Sequence, residues 1–527
     1  MHKSALLMLG IGLCACAQGA EDELFRAQWR DSGHDFANSR SQPAEVRISP
    51  ANVGTLTVKW VFTTGGDISA TPTVAGDAVF FPDWAGNLFA VNEHTGQLIW
   101  SHKISDYDGF SGALSRTSPA IHGKDVIVGD IQGRFVFHQG ASLIAADRKT
   151  GALHWIASVD SHITAQITGS PVVFDDVVYV GVSSQEEAFA LAGGPGGYPC
   201  CTFRGSVVAL DANTGKLLWK TYVMPDNGGQ PGGYSGGVVW QPPAIDPIRH
   251  QLYIGTGNNY SAPASVMECE KQAIANGNPN AECTAPDDLF DTALALDLKD
   301  GHIRWQKRLM SYDVWTVPCI VPGFEQLCPS PAGPDYDLGG SGPNLLPGLV
   351  GFGQKSGMYW ALNPDTGETL WSTQVGPGGG TGGIQWGTAT DGRRIYAAIS
   401  NNNGAFYTLA PSGQQINWGS WSGLDVRTGK LIWQTPDPTS GAIDSGAVSV
   451  ANGVVYAGSQ SGYMYALDAA TGHVLWSFAS GGTVIDGPAI VAGVVYWGSG
   501  YSNPGTSNNK LYAFSLPKKS GSGPGRR

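Results

Sequence analysis

A short alternation of apolar and polar positions recurs along most of this chain. Its clearest copy is VALDANTGKLLW, from Val208 to Trp219. An apolar strand comes first, an Asp or Asn then begins a tight turn, and Thr-Gly or Asp-Gly closes that turn because Gly accepts a positive φ. A second strand follows and ends on Trp, so the pattern predicts a β-hairpin with an aromatic anchor. Its seven full copies end at Trp100, Trp155, Trp219, Trp305, Trp371, Trp433 and Trp476.

Two incomplete copies lie at the ends of this series. GTLTVKW ends at Trp60 with the closing strand and no turn before it, whereas KLYAFSLP, from Lys510 to Pro517, has the first strand and no Trp after it. Joined, they make one blade from both termini and leave no exposed strand edge. Radial repetition of this kind indicates a propeller. We predict an all-β, eight-bladed propeller of four-stranded antiparallel blades over residues 51–517, or seven blades if one copy is not a blade edge.

Composition agrees with one large ring. The chain has 527 residues, 74 Gly and 17 Trp, and only 14% of its residues are charged, as many turns and aromatic anchors require. Length alone would suggest several domains, but the repeat is unbroken. The formal net charge of −12 argues against nucleic acid as a partner.

The first 20 residues have a basic start, an apolar run and a small-residue end, which is typical of an export signal too short to span a membrane. Ala15-Cys16-Ala17 fits a signal-peptidase site and favours a periplasmic protein. The same stretch resembles a lipoprotein box, which would leave a lipid anchor on Cys16. No later stretch is apolar enough to predict a transmembrane segment.

Three other segments complete the organisation of the chain. Residues 21–50 are polar and predict a cap laid across the ring, and residues 518–527 predict a flexible tail. The longest spacings between the tryptophans that end consecutive repeats lie between Trp155 and Trp371. Insertions in propellers lie in loops on one face, so we expect the extra residues in the middle of the chain to form loops at the opening of the ring.

Six cysteines lie outside the signal, and an even number in an exported chain predicts disulfides. Cys269 with Cys283, and Cys319 with Cys328, are the local pairings, and each would staple a long insertion. There is no CxxCH motif, so the sequence predicts no covalent haem.

The other two, Cys200 and Cys201, are adjacent in YPCCTFRG. With the other four paired locally, a strained vicinal disulfide is expected, the alternative being that both pair elsewhere or stay reduced. A flat sulfur surface of this kind suggests a contact face for a planar ligand.

These repeats, the adjacent cysteines and the motifs GVSSQEE and SRTSPAI together resemble the quinoprotein alcohol dehydrogenases, which are eight-bladed propellers that bind pyrroloquinoline quinone (PQQ). The resemblance is strongest to the polyvinyl-alcohol dehydrogenase branch and covers nearly the whole mature chain. Related enzymes often carry a fused cytochrome c domain that this sequence does not contain. The resemblance therefore implies a cytochrome c as electron acceptor.

The resemblance also assigns residues to the cofactor. Trp240, six residues before Asp246-Pro247, would stack under the PQQ ring, although it could instead be one more anchor between blades. The Cys200–Cys201 pair would cover the opposite face. In ISATP, Ser69 stands where many relatives have a Glu that contacts PQQ, which puts the affinity or orientation of the cofactor in doubt. The remaining contacts expected by match are Arg116, Thr168, Ser183, Lys355 and Gln385.

A metal ion is implied by the same resemblance. GVSSQEE matches Ser-x-x-Glu and makes Glu186 a metal ligand. Glu187 is the competing choice, because two adjacent glutamates leave the alignment with the motif ambiguous. Asn258 in GTGN would supply an amide oxygen. Hard cations prefer several such oxygens, and Ca²⁺ is the expected ion.

The sequence GPDYDLG supplies two more carboxylates. Asp335 would be the general base that takes the proton of the alcohol and would also ligate the metal. Relatives usually have Trp before this Asp, and here it is Pro334. In the family a second Asp at the position of Asp337 is associated with lanthanide-using members, so a lanthanide is the alternative ion.

The resemblance implies an exported PQQ-dependent dehydrogenase. It would oxidise secondary or polymeric alcohols, such as polyvinyl alcohol, by metal-assisted hydride transfer to the quinone. One alternative is a non-enzymatic propeller like the outer-membrane assembly lipoproteins, which the lipobox-like signal favours. A PQQ sugar dehydrogenase is the other alternative.

Overall fold

The computed structural model describes residues 28–518, apart from 134–135, 138–139, 279–280 and 503. Over these residues the chain forms eight four-stranded antiparallel sheets, which are the blades of a propeller. The predicted all-β fold and its eight blades are confirmed. The predicted export signal, and all but the first residue of the predicted tail, lie outside the described residues. Among the described helices, none has the length and apolar character needed to cross a membrane.

Each blade follows one pattern, in which the fourth strand is the most exposed of the four, as expected for a strand at the outer edge of the ring. In blade 1 the strands are Thr73–Ala75, Ala78–Pro82, Asn87–Asn92 and Leu98–Lys103; in blade 2, Ala120–His122, Asp125–Gly129, Ala141–Asp147 and Leu153–Asp160; in blade 3, Val172–Phe174, Val177–Ser184, Ser206–Asp211 and Leu217–Tyr222; in blade 4, Ala244–Asp246, Gln251–Gly255, Thr292–Asp297 and Ile303–Arg308.

Blades 5 to 8 repeat this order, except that the fourth strand of blade 8 comes from the start of the chain. In blade 5 the strands are Asn344–Leu346, Leu349–Gly353, Met358–Leu362 and Thr369–Gln374; in blade 6, Ala389–Thr390, Arg394–Ile399, Ser420–Asp425 and Leu431–Pro436; in blade 7, Val448–Ala451, Val454–Gly458, Tyr463–Asp468 and Val474–Ala479; in blade 8, Ala489–Val491, Val494–Ser499, Lys510–Ser515 and Thr57–Thr63.

The two chain ends close the ring as predicted. Thr57–Thr63 pairs antiparallel with Lys510–Ser515, and Trp60 lies opposite Ala513. The eighth blade therefore has four strands like the others, and the strands from the two chain ends satisfy each other's backbone groups.

The tryptophan that ends each hairpin links its blade to the next. The indole N–H of Trp155, for example, donates to the carbonyl of Ala212 at 2.9 Å, in the turn of blade 3. In that turn Gly215 has φ 71°, and a Cβ there would lie 2.6 Å from the Trp155 ring, so only glycine fits. The same indole bond is made by Trp60, Trp100, Trp219, Trp305, Trp371, Trp433 and Trp476.

The remaining elements lie in the connections and insertions. All three predicted pairings of cysteines are confirmed, including the vicinal bond between Cys200 and Cys201. The α-helices are Ile104–Asp108, Glu186–Phe189 and Ala264–Ala275; the 3₁₀ turns are Val53–Thr55, Ala190–Ala192, Val317–Ile320, Glu325–Leu327 and Leu338–Gly340; the short strands are Ser41–Gln42, Ala165–Gln166, Ser235–Gly236, Asn259–Ser261, Tyr407–Thr408 and Gln415–Ile416.

Residues 28–42 run across one end of the ring and bond to the first strands of six blades, which are blades 1, 2 and 4 to 7. Trp29 exchanges two backbone hydrogen bonds with Val74 of blade 1, and Ser41–Gln42 pairs in parallel with Val450 of blade 7. Between these points the segment accepts backbone N–H groups from blades 2, 4, 5 and 6. The donors are Ile121, Ile245, Leu345 and Thr390.

Replacing Trp29 with Ala should destabilise the whole ring. Trp29 is 0% exposed, and truncating such a side chain typically lowers the free energy of unfolding by about 3–5 kcal/mol. Urea titration followed by circular dichroism measures the loss, with Val46→Ala as the control because Val46 is 79% exposed. A loss for Trp29→Ala no larger than that for the control would show that the segment does not hold the blades together.

Candidate active site

A cavity of about 400 Å³ collects most of the residues that the sequence assigned to a cofactor. Its walls come from loops within and after blades 1 to 5, and Tyr501 contributes from blade 8. Nine of the predicted or competing site residues line it: Arg116, Thr168, Ser183, Glu187, Trp240, Asp335, Asp337, Lys355 and Gln385.

Four predicted residues do not line this cavity. The Cys200–Cys201 disulfide lines a neighbouring cavity of about 460 Å³, and Tyr260 lines both. Asn258 lies behind the wall, where its backbone N–H donates to Asp337 Oδ1 at 2.7 Å. Glu186 is the fourth.

The Glu186 carboxylate faces the loop that carries the vicinal disulfide. Its Oε1 accepts hydrogen bonds from the Tyr198 hydroxyl and the Thr202 backbone N–H, both at 2.7 Å, and its Oε2 accepts the Phe203 N–H at 2.9 Å. Glu186 and Glu187 open a short helix, in which neighbouring side chains point in different directions. The structure therefore places Glu187, the competing choice of the sequence, in the cavity wall.

Lys355 bridges the two aspartates of the GPDYDLG motif. Its Nζ lies 2.9 Å from Asp335 Oδ1 and 2.7 Å from Asp337 Oδ2. Burial acts to lower the pKa of Lys355, but Asp335, Asp337 and Glu187 outweigh it and raise that pKa well above its ordinary value. The lysine is therefore a fixed cation among three carboxylates.

Asp335 is buried beside this cation, with φ 59°. Burial raises the pKa of Asp335 well above its ordinary value, Lys355 opposes the rise, and Asp337 and Glu187 add to it. The Asp313 carboxylate fixes the loop, because it accepts the backbone N–H groups of Asp335 at 2.9 Å and Tyr336 at 2.6 Å.

Glu187 faces the same charges. Burial raises the pKa of Glu187 to about 7; Lys355 opposes the rise, and Asp337 adds to it. A metal ion bound at this wall would lower the pKa of Glu187 and so favour its ionised form.

Asn258 has an unused side-chain oxygen behind the wall of this acidic site. Its Nδ2 donates to the carbonyls of Asn259 at 2.9 Å and Trp315 at 3.0 Å, which fixes the orientation of the amide. Its Oδ1 is fully buried and has no hydrogen-bond partner. A buried acceptor without a donor costs free energy, and a hard cation would satisfy it. The residues present therefore fit a metal ion.

The cavity also fits a flat polyanion. Trp240 provides an aromatic wall, with Trp386 packed edge-on against it at 5.1 Å and Lys355 Nζ at 5.6 Å from its ring centroid. The Arg116 guanidinium stacks 4.3 Å from the Trp386 centroid. Two cations beside an aromatic surface match PQQ, which is a planar tricarboxylate.

Smaller polar groups complete the cavity. The Ser183 hydroxyl donates to Thr168 Oγ1 at 2.7 Å, and both residues line the wall. The Gln385 side chain donates to the Gly382 carbonyl at 2.9 Å. Ser69, which replaces the expected Glu, lies outside this cavity and accepts a hydrogen bond from the Trp84 indole at 2.8 Å.

Sequence reasoning missed several residues of the site. Trp386 directly follows Gln385, so the IQWG motif could have revealed it. Tyr260 and Trp315 line the cavity without belonging to any motif of the kind that located Trp240. Asp313 is recognisable only from the two N–H groups that it accepts.

Comparison with known proteins places this arrangement in a family. A family model described as "Glucose/ethanol/alcohol dehydrogenase, beta-propeller domain", of the PQQ type, matches residues 29–320. A second model, "Outer membrane protein assembly factor BamB", matches residues 417–521, a range that contains none of the carboxylates of the cavity.

Individual proteins agree with the first model. The polyvinylalcohol dehydrogenase of Sphingopyxis sp. (strain 113P3) is 32% identical, and the alignment covers 96% of this chain and 79% of that protein. The quinohemoprotein alcohol dehydrogenase of Comamonas testosteroni has the same fold, with a TM-score of 0.67 at 19% identity over 93% of this chain and 80% of that one. A europium-containing methanol dehydrogenase has a TM-score of 0.64 at 18% identity, over 93% and 98%. The chain therefore belongs to the PQQ-dependent alcohol dehydrogenases, a family of β-propeller oxidoreductases.

Proposed function

We propose that this chain oxidises secondary or polymeric alcohols to ketones or aldehydes with PQQ and a metal ion, and passes the electrons to a cytochrome c. The observation that carries the proposal is the buried Asp335, held by Lys355 in a cavity that Trp240 lines, with the unused oxygen of Asn258 buried behind the cavity wall. The identity with a polyvinylalcohol dehydrogenase supports the choice of substrate.

The residues of the cavity divide between two ligands. PQQ would lie against Trp240, with its carboxylates bound by Arg116 and the hydroxyl groups of Thr168 and Ser183. The metal ion would be held by oxygens of Glu187, Asn258, Asp335 and Asp337. When bound, PQQ supplies a two-electron acceptor and the metal supplies a Lewis acid.

Asp335 would act as the general base for the alcohol hydroxyl. A base must be ionised before it accepts a proton, and burial opposes ionisation of Asp335. Lys355 contributes the fixed positive charge that favours the carboxylate and orients its Oδ1. Asp313 holds the backbone, so the second carboxylate oxygen is presented to the substrate rather than lost to loop motion.

Asp337 bears on the choice of ion. One oxygen of Asp337 accepts the Asn258 backbone N–H, and the other lies beside Lys355 Nζ. If Asp337 also ligated the metal, its carboxylate would add a further negative charge around the ion. Calcium remains the expected ion, and a trivalent lanthanide is the alternative because it benefits more from that extra charge.

The proposed location of the enzyme is the periplasm, with Cys16 as an alternative lipid anchor. Support comes from the signal-like residues 1–20 of the sequence.

Reconstitution tests the proposed function. The purified protein is loaded with PQQ and either Ca²⁺ or La³⁺, and reduction of an artificial electron-accepting dye is followed with primary and secondary alcohols and with polyvinyl alcohol. Reduction should require both PQQ and a metal and should be fastest with secondary alcohols. Absence of reduction with every metal and alcohol would refute the enzyme; preference for a sugar would refute the substrate.

The Glu186–Glu187 doublet gives a matched pair of variants. Glu187→Gln should weaken metal binding by at least about tenfold, because a charged oxygen ligand becomes neutral. Glu186→Gln should leave metal binding within about twofold and should lower stability instead, because an amide nitrogen would face a backbone N–H. Calorimetric titration of the PQQ-loaded variants with metal measures both, and the opposite ranking would return the ligand role to Glu186.

A further inference from the structure

The second cavity, which the Cys200–Cys201 disulfide lines, contains none of the residues assigned above to the metal ion or to the general base. Its volume is about 460 Å³, similar to that of the first cavity. Aliphatic and proline side chains form much of its wall, including Pro199, Met267 and Leu327. Neither Lys, Arg, Asp nor Glu is among its described lining residues. A neutral, largely aliphatic ligand therefore suits this cavity better than an ion.

One extended segment separates the two cavities. Asn259 and Val314 form a β-bridge, so side chains alternate along the segment that follows. Val314 and Thr316 line the second cavity, while Trp315 and Val317 line the first. The two cavities thus lie back to back across a single backbone.

Thr316 is the polar group that this wall presents to the second cavity. It is 2% exposed, and its Oγ1 has no hydrogen-bond partner. Two other hydroxyls of this cavity wall already have partners, since Tyr198 donates to Glu186 and Ser261 donates to the Gly233 carbonyl at 2.8 Å. A buried hydroxyl without a partner costs free energy, which a ligand hydroxyl would recover.

Disulfides hold the walls of this cavity in place. The bond between Cys269 and Cys283 anchors the helix Ala264–Ala275, which carries Met267, and the bond between Cys319 and Cys328 closes the loop that carries Leu327. The cavity is therefore pre-formed, which lowers the entropic cost of binding a flexible chain.

We propose that the second cavity binds the hydroxylated units that neighbour the reacting carbon of a polymeric alcohol, with Thr316 Oγ1 bonded to one of their hydroxyls. The inference rests on the proposed function and extends it to substrate length. An aliphatic chain with repeated hydroxyls matches a wall without charged side chains that offers the unused hydroxyl of Thr316. It would cross the rim near Ile320, which lines the first cavity and is 64% exposed.

Thr316→Val tests the subsite, because it keeps the shape of the side chain and removes only the hydroxyl. The enzyme loaded with PQQ and metal is assayed with propan-2-ol and with polyvinyl alcohol. The variant should lower kcat/KM for the polymer by about fivefold to tenfold, through KM, and leave propan-2-ol unchanged. Thr57→Val, on the exposed strand of blade 8, should change neither.

A second variant and a binding measurement keep the test decisive. Ala262→Leu would fill part of the cavity and should also impair the polymer selectively. Polyvinyl alcohol should bind the PQQ-free Thr316→Val protein more weakly than the wild type by the same factor. Equal losses for both alcohols, unchanged polymer kinetics, or weaker PQQ binding in Thr316→Val would overturn the subsite. If wild type oxidises neither alcohol, the proposed function itself fails.

Discussion

Replacing Asp335 with Asn should lower kcat by about 100-fold to 10,000-fold, which is the usual contribution of a general base. The change preserves shape but removes the group that would accept the proton. PQQ should still bind, because Trp240 and Arg116 are untouched. Dye reduction at saturating metal measures kcat, and PQQ absorbance after gel filtration measures retention of the cofactor.

Asp226→Asn is the control for this variant, since the Asp226 side chain is 78% exposed and lies outside the cavity. It should keep full activity. If Asp335→Asn retained more than about a tenth of kcat, the role of base would pass to Asp337.

Replacing Lys355 with Met should strongly destabilise the metal-free protein. Lys355 is 9% exposed and is the cation shared by Asp335 and Asp337. Breaking a buried pair leaves uncompensated charge and typically costs about 3–5 kcal/mol. A bound metal ion would supply positive charge to the same carboxylates, so the loss should be smaller with Ca²⁺ or La³⁺ present.

Urea titration with and without metal measures this difference. Lys149→Met is the control, because Lys149 is exposed on a turn of blade 2. If metal failed to recover stability in Lys355→Met, the aspartates would not be metal ligands. A loss equal to that of Lys149→Met would show that Lys355 does not stabilise them.

The fold could be predicted because each blade is specified locally. The Asp-x-x-Thr-Gly turn places Gly where the preceding Trp ring leaves no room for a Cβ, as Gly215 shows beside Trp155. Such a unit can be recognised from about a dozen consecutive residues. The hydrogen bonds of residues 28–42 to most blades could not be predicted from the sequence, because they join backbone groups that any residue supplies.

A motif could predict which side chains belong to the candidate site, but it could not predict the direction in which each side chain points. Trp240, Lys355 and the two aspartates converge on one cavity, as their motifs implied. The Glu186–Glu187 doublet has one sequence pattern but two directions, and only the helix that it begins separates them.

Two further features of the site depend on tertiary packing alone. The vicinal disulfide was expected from the cysteine count, yet the structure places it in the second cavity. Likewise, the motif identified Asn258, but the sequence could not show that its Oδ1 lacks a hydrogen-bond partner.

An anomalous-scattering crystal structure of the protein loaded with PQQ and La³⁺ is the most direct test of the proposed centre. The account predicts one strong peak with oxygens of Glu187, Asn258, Asp335 and Asp337 about 2.3–2.6 Å away, and the quinone against Trp240. A peak bound by Glu186 would contradict it. So would occupation only of the surface cluster of Asp297, Asp300 and His302, whose ligand atoms lie within 4.8 Å of one another.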